Sequence, residues 1–260
     1  MAMSDEARAN GILARRALAL LDLTDLAEDA TAEGARALCR RAVCGPVPVA
    51  AVCLWPRFVA VAREALGDGP VRIATVVNFP DGDSPVAAVI GETGAALAAG
   101  ADEIDLVLPW RAVLAGDTAA ASAMVRDVKA RCGDRLLKVI LETGEYPDPD
   151  SVTVAAGLAI AAGADFIKTS TGKTAHSASL PAARAMLGVI AGAGRPVGLK
   201  PSGGIRTLAD AKAYLDLADA IMGPDWATPR SFRFGASGLY GALIDAMDGG
   251  PAGQATTGSY

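Results

Sequence analysis

The sequence predicts an α/β fold, an eight-stranded (β/α)8 TIM barrel, from three observations. Eight short apolar runs recur along the 260 residues, at a spacing of roughly 23 to 35 residues that matches one strand-plus-helix unit. Ala-rich stretches of helical character separate these runs, and several of them close on glycine. No Gly-x-Gly-x-x-Gly motif follows the first run, which disfavours the main alternative, a doubly wound open sheet.

The apolar runs are the predicted strands. They comprise residues 20–23, 49–54, 72–79, 104–108, 136–141, 165–168, 197–200 and 232–234. The predicted helices between them comprise residues 31–43, 56–66, 85–99, 117–131, 150–162, 179–192 and 207–217. Asp150 or Ser151 is a suitable N-cap for one helix, and Thr207 followed by Asp210 for another.

We expect one domain with two short additions. Residues 1–18 predict an extra amphipathic helix before the first strand, so the barrel domain comprises residues 1–248. Residues 249–260 are rich in Gly, Thr, Ser and Pro, which predicts a flexible C-terminal tail ending at Tyr260.

The charge pattern disfavours several classes of partner. The formal net charge is −5 and Lys and Arg form no dense stripe, so we expect no nucleic-acid or anionic membrane partner. No apolar run reaches the roughly 18 residues that span a bilayer. Acidic residues stand where a signal peptide has basic ones, which predicts a cytoplasmic protein. The four cysteines are irregularly spaced, as expected of free thiols in a reducing compartment.

His176 is the only histidine of the chain, and we expect it to be solvent-exposed. A Ser-His-Asp or Cys-His arrangement would depend on this one residue in a polar loop, and a His-rich zinc site is impossible. Metal-dependent aldol chemistry is therefore disfavoured, and we expect no cofactor.

Charged residues share one face of the predicted strands. Side chains two residues apart in a strand point the same way, and the opposite face of each run is almost wholly Leu, Ile or Val. The inward groups would be Asp22 with Thr24, Asp105 with Val107, Lys138 with Ile140 and Glu142, Phe166 with Lys168 and Ser170, and Gly198 with Lys200. The charged side chains can therefore enter the barrel without placing a charge between the sheet and the helices.

Lys168 and Lys200 each end an apolar run and open onto a loop rich in Thr, Ser and Gly. Because burial of an ammonium and a second cation nearby both lower an amine pKa, such a lysine favours the neutral amine that attacks carbonyl carbon and forms a Schiff base. Charged residues at the carboxyl ends of barrel strands are typical of an active site. The alternatives are an ion-paired, structural Lys168, and a Lys200 that is a spectator or a phosphate ligand.

Five further residues within or directly after the predicted strands belong to the candidate pocket. Asp105 is either a counter-ion for a lysine or a proton shuttle that works with a water and the second lysine. Asp22 and Thr24 either order the end of the first strand or hydrogen-bond a substrate hydroxyl. Lys138 lies earlier in its strand and would tune the charge cluster from a deeper position. Cys53 is by default a small buried hydrophobic residue, although it could face the pocket.

Gly/Ser-rich loops after three predicted strands indicate a phosphate site. Barrels commonly bind phosphate with backbone N–H groups of the loops after strands seven and eight, and a helix N-terminus favours an anion. The segment SGGIRT (202–207) follows the seventh strand and GASGLYGAL (235–243) follows the eighth. Thr171-Gly172-Lys173, after the sixth strand, could close the site. Arg206 is either a phosphate contact or an ordinary surface charge.

Eight segments in order resemble the deoxyribose-phosphate aldolase family over residues 20–260. They are LLDLTDL, VCLWPRFV, IATVVNFPDGD, GADEIDLVLPWRAVLAGD, LLKVILETGEY, AGADFIKTSTGKTA, VGLKPSGGIRT and FRFGASGLY. The resemblance implies a cofactor-free class I aldolase that reversibly cleaves 2-deoxy-D-ribose 5-phosphate to acetaldehyde and D-glyceraldehyde 3-phosphate. It also implies a homodimer, which is the usual assembly of the family and the commonest oligomer.

The same resemblance implies roles for individual residues. Lys168 would form the Schiff base, Lys200 would lower its pKa, and Asp105 would shuttle protons. Tyr260, at the end of the tail, would assist proton transfer. The remaining residues would line the substrate pocket (Asp22, Thr24, Cys53, Lys138, Thr171 and Lys173) or bind the phosphate (Gly172, Gly203, Gly204, Gly235, Ser237 and Gly238).

One departure from the family pattern concerns the phosphate. Many relatives have Ser-Ser where this chain has Ser237-Gly238, so one hydroxyl is missing, and phosphate contact would be weaker or left to backbone N–H groups. Two alternatives stay open for the function: another Schiff-base barrel lyase acting on a different sugar phosphate, and a phosphosugar-binding or regulatory barrel without turnover.

Overall fold

The computed structural model of the chain describes residues 4–249, and its centre is a sheet of eight parallel strands. The strands are β1 (Leu21–Asp25), β2 (Ala51–Leu54), β3 (Arg72–Val77), β4 (Glu103–Val107), β5 (Leu136–Ile140), β6 (Phe166–Lys168), β7 (Gly198–Lys200) and β8 (Phe234–Ala236). They are ordered β7-β6-β5-β4-β3-β2-β1-β8. Backbone hydrogen bonds from Arg233 N to Leu199 O and from Gly235 N to Pro201 O, both 2.9 Å, join β8 to β7. The sheet thereby closes into a barrel.

Helices alternate with the strands around the barrel. They are α1 (Asp5–Ala19), α2 (Ala32–Cys44), α3 (Val59–Leu66), α4 (Val86–Ala98), α5 (Trp110–Leu114), α6 (Thr118–Cys132), α7 (Pro149–Ala161), α8 (Leu180–Ala191), α9 (Leu208–Met222) and α10 (Leu239–Met247), with 3-10 turns at Pro56–Phe58 and Thr143–Glu145. None of the helices in this part of the chain is both long and apolar enough to cross a membrane.

The predicted barrel and its extra N-terminal helix, α1, are confirmed, and the differences are local. The eighth strand is Phe234–Ala236 rather than 232–234, because Phe232 makes only an isolated bridge to Leu199. The helix predicted at 150–162 begins at Pro149 and is capped by Asp148, whose side chain accepts from Ser151 N. Helix α5 had no counterpart among the predicted helices. The tail from residue 250 lies outside the described residues.

Two apolar regions surround the strands. The main core lies between the barrel and its helices and consists of Leu, Ile, Val and Ala side chains. A smaller cluster comprises Leu26, Ala51, Cys53, Ala74 and Val76, from the first three strands and their ends. Since Leu26 continues the alternation of Asp22 and Thr24, this cluster lies on the inner face of the barrel. Apart from Asp22 and Thr24, the inner face therefore carries small or apolar side chains at β1–β3, whereas it is charged at β4–β7.

Candidate active site

Seven charged side chains meet inside the barrel, and we call them the ionic cluster. They are Asp22 (β1), Glu103 and Asp105 (β4), Lys138 (β5), Lys168 (β6), Lys200 (β7) and Arg233, which precedes β8. Each is at most 4% exposed. The two-residue period of the strands puts them there, because their neighbours Leu21, Ile104, Leu137, Ile167 and Leu199 point into the apolar layer under the helices.

Asp105 is the hub of the ionic cluster. Its Oδ1 accepts a hydrogen bond from Lys138 Nζ at 2.8 Å, and its Oδ2 accepts from Lys200 Nζ at 2.8 Å and from Lys168 Nζ at 3.1 Å. Asp105 is level with Lys138 across β4–β5, and Lys168 is level with Lys200 across β6–β7. The carboxylate of Asp105 thus accepts hydrogen bonds from three lysine amines, and the one from Lys168 is the longest.

Asp22 and Glu103 hold the other basic groups. Lys200 Nζ lies 2.6 Å from Asp22 Oδ2, and Lys138 Nζ lies 2.6 Å from Glu103 Oε2. Arg233 bridges the two acids, with Nη1 2.6 Å from Asp22 Oδ1 and Nη2 2.9 Å from Glu103 Oε1. Lys138, Lys200 and Arg233 therefore each contact at least two carboxylates.

Lys168 is the exception in this network. Among the described residues its amine has an ion pair with Asp105 alone. The ionic cluster contains four basic groups and three carboxylates, so it is one positive charge in excess if all are ionised. An unmatched charge buried in a low dielectric is costly, and arginine does not give up its proton. Lys168 is the lysine that loses the fewest ion pairs by becoming neutral.

The pKa values of the two lysines move in opposite directions. Burial lowers the pKa of Lys168; Asp105 opposes this only partly, and Lys200 lowers it further. Burial also acts to lower the pKa of Lys200, but Asp105 and Asp22 outweigh it and raise that pKa well above the ordinary value. The larger cause at Lys168 is therefore burial rather than the neighbouring cation.

Asp105 and Asp22 stay ionised at neutral pH. Burial acts to raise the pKa of Asp105, but the field of Lys138, Lys200 and Lys168 holds it well below its usual range. The pKa of Asp22 is likewise lowered, because Lys200, Arg233 and Lys138 overcome the effect of burial. The arrangement therefore places an amine of lowered pKa beside an ionised carboxylate and a protonated second lysine.

Thr24 and Cys53 lie on the inner face of the barrel at β1 and β2, where the side chains are small. Thr24 is 3% exposed, and its Oγ1 donates to Asp22 O at 2.8 Å, so its hydroxyl proton is used within β1. Cys53 is fully buried beside Leu26 and Ala51, and burial raises the pKa of its thiol. Cys53 is thus a small protonated side chain that also faces the interior.

Ser170 carries an unsatisfied hydroxyl near the catalytic candidates. The residue is fully buried, two positions beyond Lys168, and its Oγ has no hydrogen-bond partner among the described residues. Buried polar groups are normally paired, so an orphan hydroxyl at this place fits a contact that a substrate completes.

Thr171 and Lys173 fix the loop after β6. Thr171 Oγ1 donates to Glu142 Oε2 at 2.6 Å and accepts from Lys173 N at 3.0 Å. Glu142 stands in the left-handed region at φ 60, and burial raises the pKa of its carboxyl. Lys173 Nζ donates to Leu26 O at 2.9 Å, which ties the β6 loop to the loop after β1. These contacts hold the loops at the mouth of the barrel together.

A polar cavity of about 360 Å³ lies at the same end, and we call it the rim cavity. Its lining includes five residues predicted to bind phosphate, namely Gly172, Gly203, Gly204, Ser237 and Gly238. Arg206 is exposed and lines it too, which supports the phosphate interpretation of that residue over a plain surface charge. Lys168 lies buried below this rim.

Glycine is required at the floor of the rim cavity. Gly203 and Gly204 have φ values of 87° and 81°, in the region that other residues rarely adopt. A Cβ on Gly203 would also lie 2.6 Å from the side chain of Ser177. Gly238 is the N-cap of α10, so the cavity includes a helix N-terminus, as predicted for an anion site.

The remaining three predicted residues lie outside the rim cavity or outside the described part of the chain. Gly235 lies within β8 rather than in the loop and does not line the rim cavity; a Cβ there would clash with Ser202 Oγ and lie 3.0 Å from Lys200 Cε, so glycine makes room for both side chains. His176 is exposed, as predicted. Tyr260 lies outside the described residues, and its role in proton transfer stays a prediction.

The sequence reasoning missed Glu103 and Arg233 as members of the ionic cluster. A signal existed for both, because Glu103 shares the period of Asp105, and Arg233 alternates with the outward-facing Phe232 and Phe234. Thr174 and Ser177, which also line the rim cavity, had no comparable signal. Within residues 4–249, no group of three or more His, Cys, Asp or Glu side chains is arranged to hold a metal ion.

The chain is similar to proteins of known family. Residues 2–237 match the family model described as DeoC/LacD family aldolase. A curated protein of Agrobacterium fabrum (strain C58 / ATCC 33970), named deoxyribose-phosphate aldolase, is 53% identical over 243 residues, which cover 93% of this chain and 94% of that protein.

Solved structures with a similar fold carry the same name. A Toxoplasma gondii ME49 structure, provisionally assigned as a deoxyribose-phosphate aldolase, has a TM-score of 0.86 and 26% identity, covering 94% of this chain and 97% of its own. The deoxyribose phosphate aldolase of Aeropyrum pernix, described as a tetramer, has a TM-score of 0.73 and covers 94% and 98% of the two chains. At 24% identity the latter shows the shared fold alone.

Proposed function

The chain belongs to the DeoC/LacD aldolase family, and from that premise we propose that it cleaves 2-deoxy-D-ribose 5-phosphate reversibly to acetaldehyde and D-glyceraldehyde 3-phosphate through a Schiff base on Lys168. One observation carries the assignment of the nucleophile. Lys168 is the one lysine of the ionic cluster whose pKa falls, and it keeps a single ion pair.

The first step is capture of the open-chain aldehyde. The neutral amine of Lys168 adds to C1, and the carbinolamine loses water to give a protonated imine. Asp105 Oδ2, 3.1 Å from the amine, is placed to take the proton that nitrogen releases on addition. Lys200, whose raised pKa keeps it protonated, is placed to supply the proton on which the hydroxyl leaves as water.

The second step breaks the bond between C2 and C3. A water held by Asp105 removes the proton of the C3 hydroxyl, the hydroxyl carbon becomes the aldehyde of glyceraldehyde 3-phosphate, and the bonding electrons move into the imine. The nitrogen-bound fragment is then an enamine. Protonation of its terminal carbon and hydrolysis release acetaldehyde and restore the amine of Lys168. We propose that Ser170 Oγ, the orphan hydroxyl, holds a substrate hydroxyl during these steps.

The rim cavity is proposed to hold the phosphate. Gly203, Gly204 and the N-terminus of α10 offer a positive backbone environment, and Arg206 adds a full charge. Phosphate bound at the rim would leave the aldehyde end to reach down to Lys168. The missing hydroxyl at Gly238 leaves more of this contact to the backbone.

A direct assay tests this function. Formation of acetaldehyde from 2-deoxy-D-ribose 5-phosphate should be faster per enzyme than from 2-deoxy-D-ribose and from pentose phosphates that carry a 2-hydroxyl. Cleavage of another sugar phosphate at a higher kcat/KM would assign the same chemistry to a different substrate. No turnover of any of them would indicate a phosphosugar-binding barrel.

Assembly and location are further proposals. We propose a homodimer, the commonest soluble assembly, which light scattering of the purified protein tests against a monomer or a tetramer. We propose a cytoplasmic location, supported by the four cysteines, all of which are free thiols, three of them buried. Residues 1–248 are proposed as the domain that carries the activity.

A further inference from the structure

Arg233 and Glu103 lie at the opposite end of the ionic cluster from the substrate. Both line a cavity of about 750 Å³ whose walls include Pro48, Pro70 and Pro196, from the loops that precede the barrel strands. We call it the amino-terminal cavity. Neither residue lines the rim cavity. Lys168, Lys200 and Asp105 are absent from the lining of the amino-terminal cavity, so Arg233 and Glu103 form the side of the ionic cluster that faces away from the rim.

Arg233 is nonetheless buried and bound by several hydrogen bonds and ion pairs. It is 4% exposed, its guanidinium contacts Asp22 and Glu103 at 2.6 Å and 2.9 Å, and its Nε donates to Pro229 O at 2.5 Å. The guanidinium also lies over the ring of Phe166, 5.8 Å from its centroid. A buried arginine with this many partners has a single position, and that position is fixed by the carboxylates it serves.

We propose that Arg233 and Glu103 are positioning residues that set the charge balance at Lys168 from the far end of the barrel, through Asp22, Lys138 and Asp105. This inference rests on the proposed Schiff-base function of Lys168. Arg233 occupies one oxygen of Asp22 and one of Glu103. Those two carboxylates are then less able to neutralise Lys200 and Lys138. Both lysines therefore also form ion pairs with Asp105. Asp105 in turn has less negative charge to offer Lys168.

The charged and titratable groups around Lys168 all enter this balance. Asp105, Lys200, Cys53 and Glu142 act on Lys168 directly. Asp22, Lys138, Glu103 and Arg233 act through Lys200 and Asp105. The four basic groups exceed the three carboxylates of the ionic cluster by one. Arg233 supplies this excess without touching Lys168.

Loss of either positioning residue should therefore move the Lys168 amine in a defined direction. Arg233→Gln removes one cation and frees Asp22 and Glu103 to neutralise the other lysines, so Asp105 stabilises the protonated Lys168 and the amine becomes neutral only at higher pH. Glu103→Gln removes one carboxylate and has the opposite effect. The double variant restores the excess of one positive charge.

The pH dependence of imine trapping measures this. Each full-length variant is mixed with acetaldehyde and sodium cyanoborohydride across a range of pH, and the rate of adduct formation on Lys168 is read by mass spectrometry. We expect the midpoint of the rising limb to move up in Arg233→Gln and down in Glu103→Gln, by less than the roughly one to three pH units that a charge in direct contact with the titrating group causes. The double variant should return towards the wild-type midpoint.

Two controls separate charge from structure. Arg233→Lys keeps the charge and loses the two-pronged geometry, so its midpoint should stay near that of the wild type even if the variant is less stable. Arg230→Gln removes an exposed cation from the lining of the same cavity and should leave the midpoint unchanged. If Arg233→Gln does not fold, the downward shift expected of Glu103→Gln still gives the sign, and an unchanged midpoint in Arg233→Lys still shows that the charge at this position is what matters.

Each outcome decides the proposal. Opposite shifts in the two single variants support it. Equal midpoints in all variants, or shifts in the same direction, overturn it while leaving the Schiff-base function intact. If the wild-type protein forms no adduct on Lys168, the proposed function itself fails, and this inference falls with it.

Discussion

Lys168 Nζ and Asp105 Oδ2 lie 3.1 Å apart inside the barrel, and Lys200 Nζ contacts the same carboxylate oxygen at 2.8 Å. The nucleophile and its cationic neighbour thus compete for one acceptor. Because Lys200 is also held by Asp22 at 2.6 Å, Lys200 keeps its proton and Lys168 is the amine that becomes neutral. The chemistry proposed for this enzyme depends on that asymmetry.

Replacement of Lys200 tests the competition. Lys200→Met removes a cation from Asp22 and Asp105, so both carboxylates become available to stabilise protonated Lys168, and the acid for the departing hydroxyl is lost. We expect kcat to fall by about 100-fold to 10,000-fold, the usual contribution of a general acid or base. The measurement is cleavage of deoxyribose 5-phosphate at neutral pH, with circular dichroism to show an intact barrel. Turnover near the wild-type rate would remove Lys200 from the mechanism.

Replacement of Asp105 separates amine activation from proton transfer. Asp105→Asn removes the carboxylate that pairs with protonated Lys168 and also the acceptor of the proton released on addition, so trapping of acetaldehyde on Lys168 should be slower but should continue. Cleavage should still fall by about 100-fold or more, because the group that accepts the substrate proton is gone. A parallel loss of trapping and cleavage in a folded variant would contradict the assigned role.

The phosphate site can be tested by restoring the missing hydroxyl. Gly238 has φ −75 and ψ −20, a helical conformation that serine adopts without strain, so a hydroxyl can be added at the start of α10. Gly238→Ser should lower KM for deoxyribose 5-phosphate several-fold and leave kcat/KM for deoxyribose nearly unchanged.

Arg206→Gln tests the charged side of the same site. It should raise KM for deoxyribose 5-phosphate by about tenfold, as expected for loss of roughly 1.4 kcal/mol of binding. Equal effects on both substrates would place the phosphate elsewhere.

Acid stability should follow the two buried aspartates. The pKa values of Asp22 and Asp105 are lower in the folded protein than in the unfolded chain, so their contribution to stability is complete above the ordinary aspartate pKa of about 3.9 and is lost as the pH falls towards the folded values. The free energy of unfolding, measured with urea, should therefore decline steeply below about pH 4, since the unfolded chain binds more protons there. A flat profile through that range would show that these carboxylates are not ionised in the folded state.

Much of the site follows from strand periodicity. The alternation of apolar and charged residues placed Lys138, Lys168 and Lys200 on the inner face of their strands, and the structure has them within the ionic cluster. Periodicity cannot say which carboxylate serves which lysine, because that depends on the tilt and stagger of the strands around the closed barrel. The one ion pair of Lys168, against two or more for its neighbours, is visible only in three dimensions.

The errors have local causes. Glu103 was missed because its predicted strand began one residue later, at 104, whereas β4 begins at Glu103. Arg233 was missed because the eighth strand was placed at 232–234, where the outward Phe232 and Phe234 dominate the pattern. Thr174 and Ser177 reach the rim cavity from a loop between β6 and α8, and its path over the rim has no periodic signal.

The most direct test of the mechanism is covalent trapping of the imine. Wild-type protein is incubated with acetaldehyde and sodium borohydride, digested and mapped by mass spectrometry, with Lys168→Met and Lys200→Met treated in parallel. The proposed mechanism predicts one reduced adduct, on Lys168 of the wild-type protein and absent from Lys168→Met. An adduct that forms on Lys200 or Lys138 instead, or none on any lysine of the barrel, would contradict it.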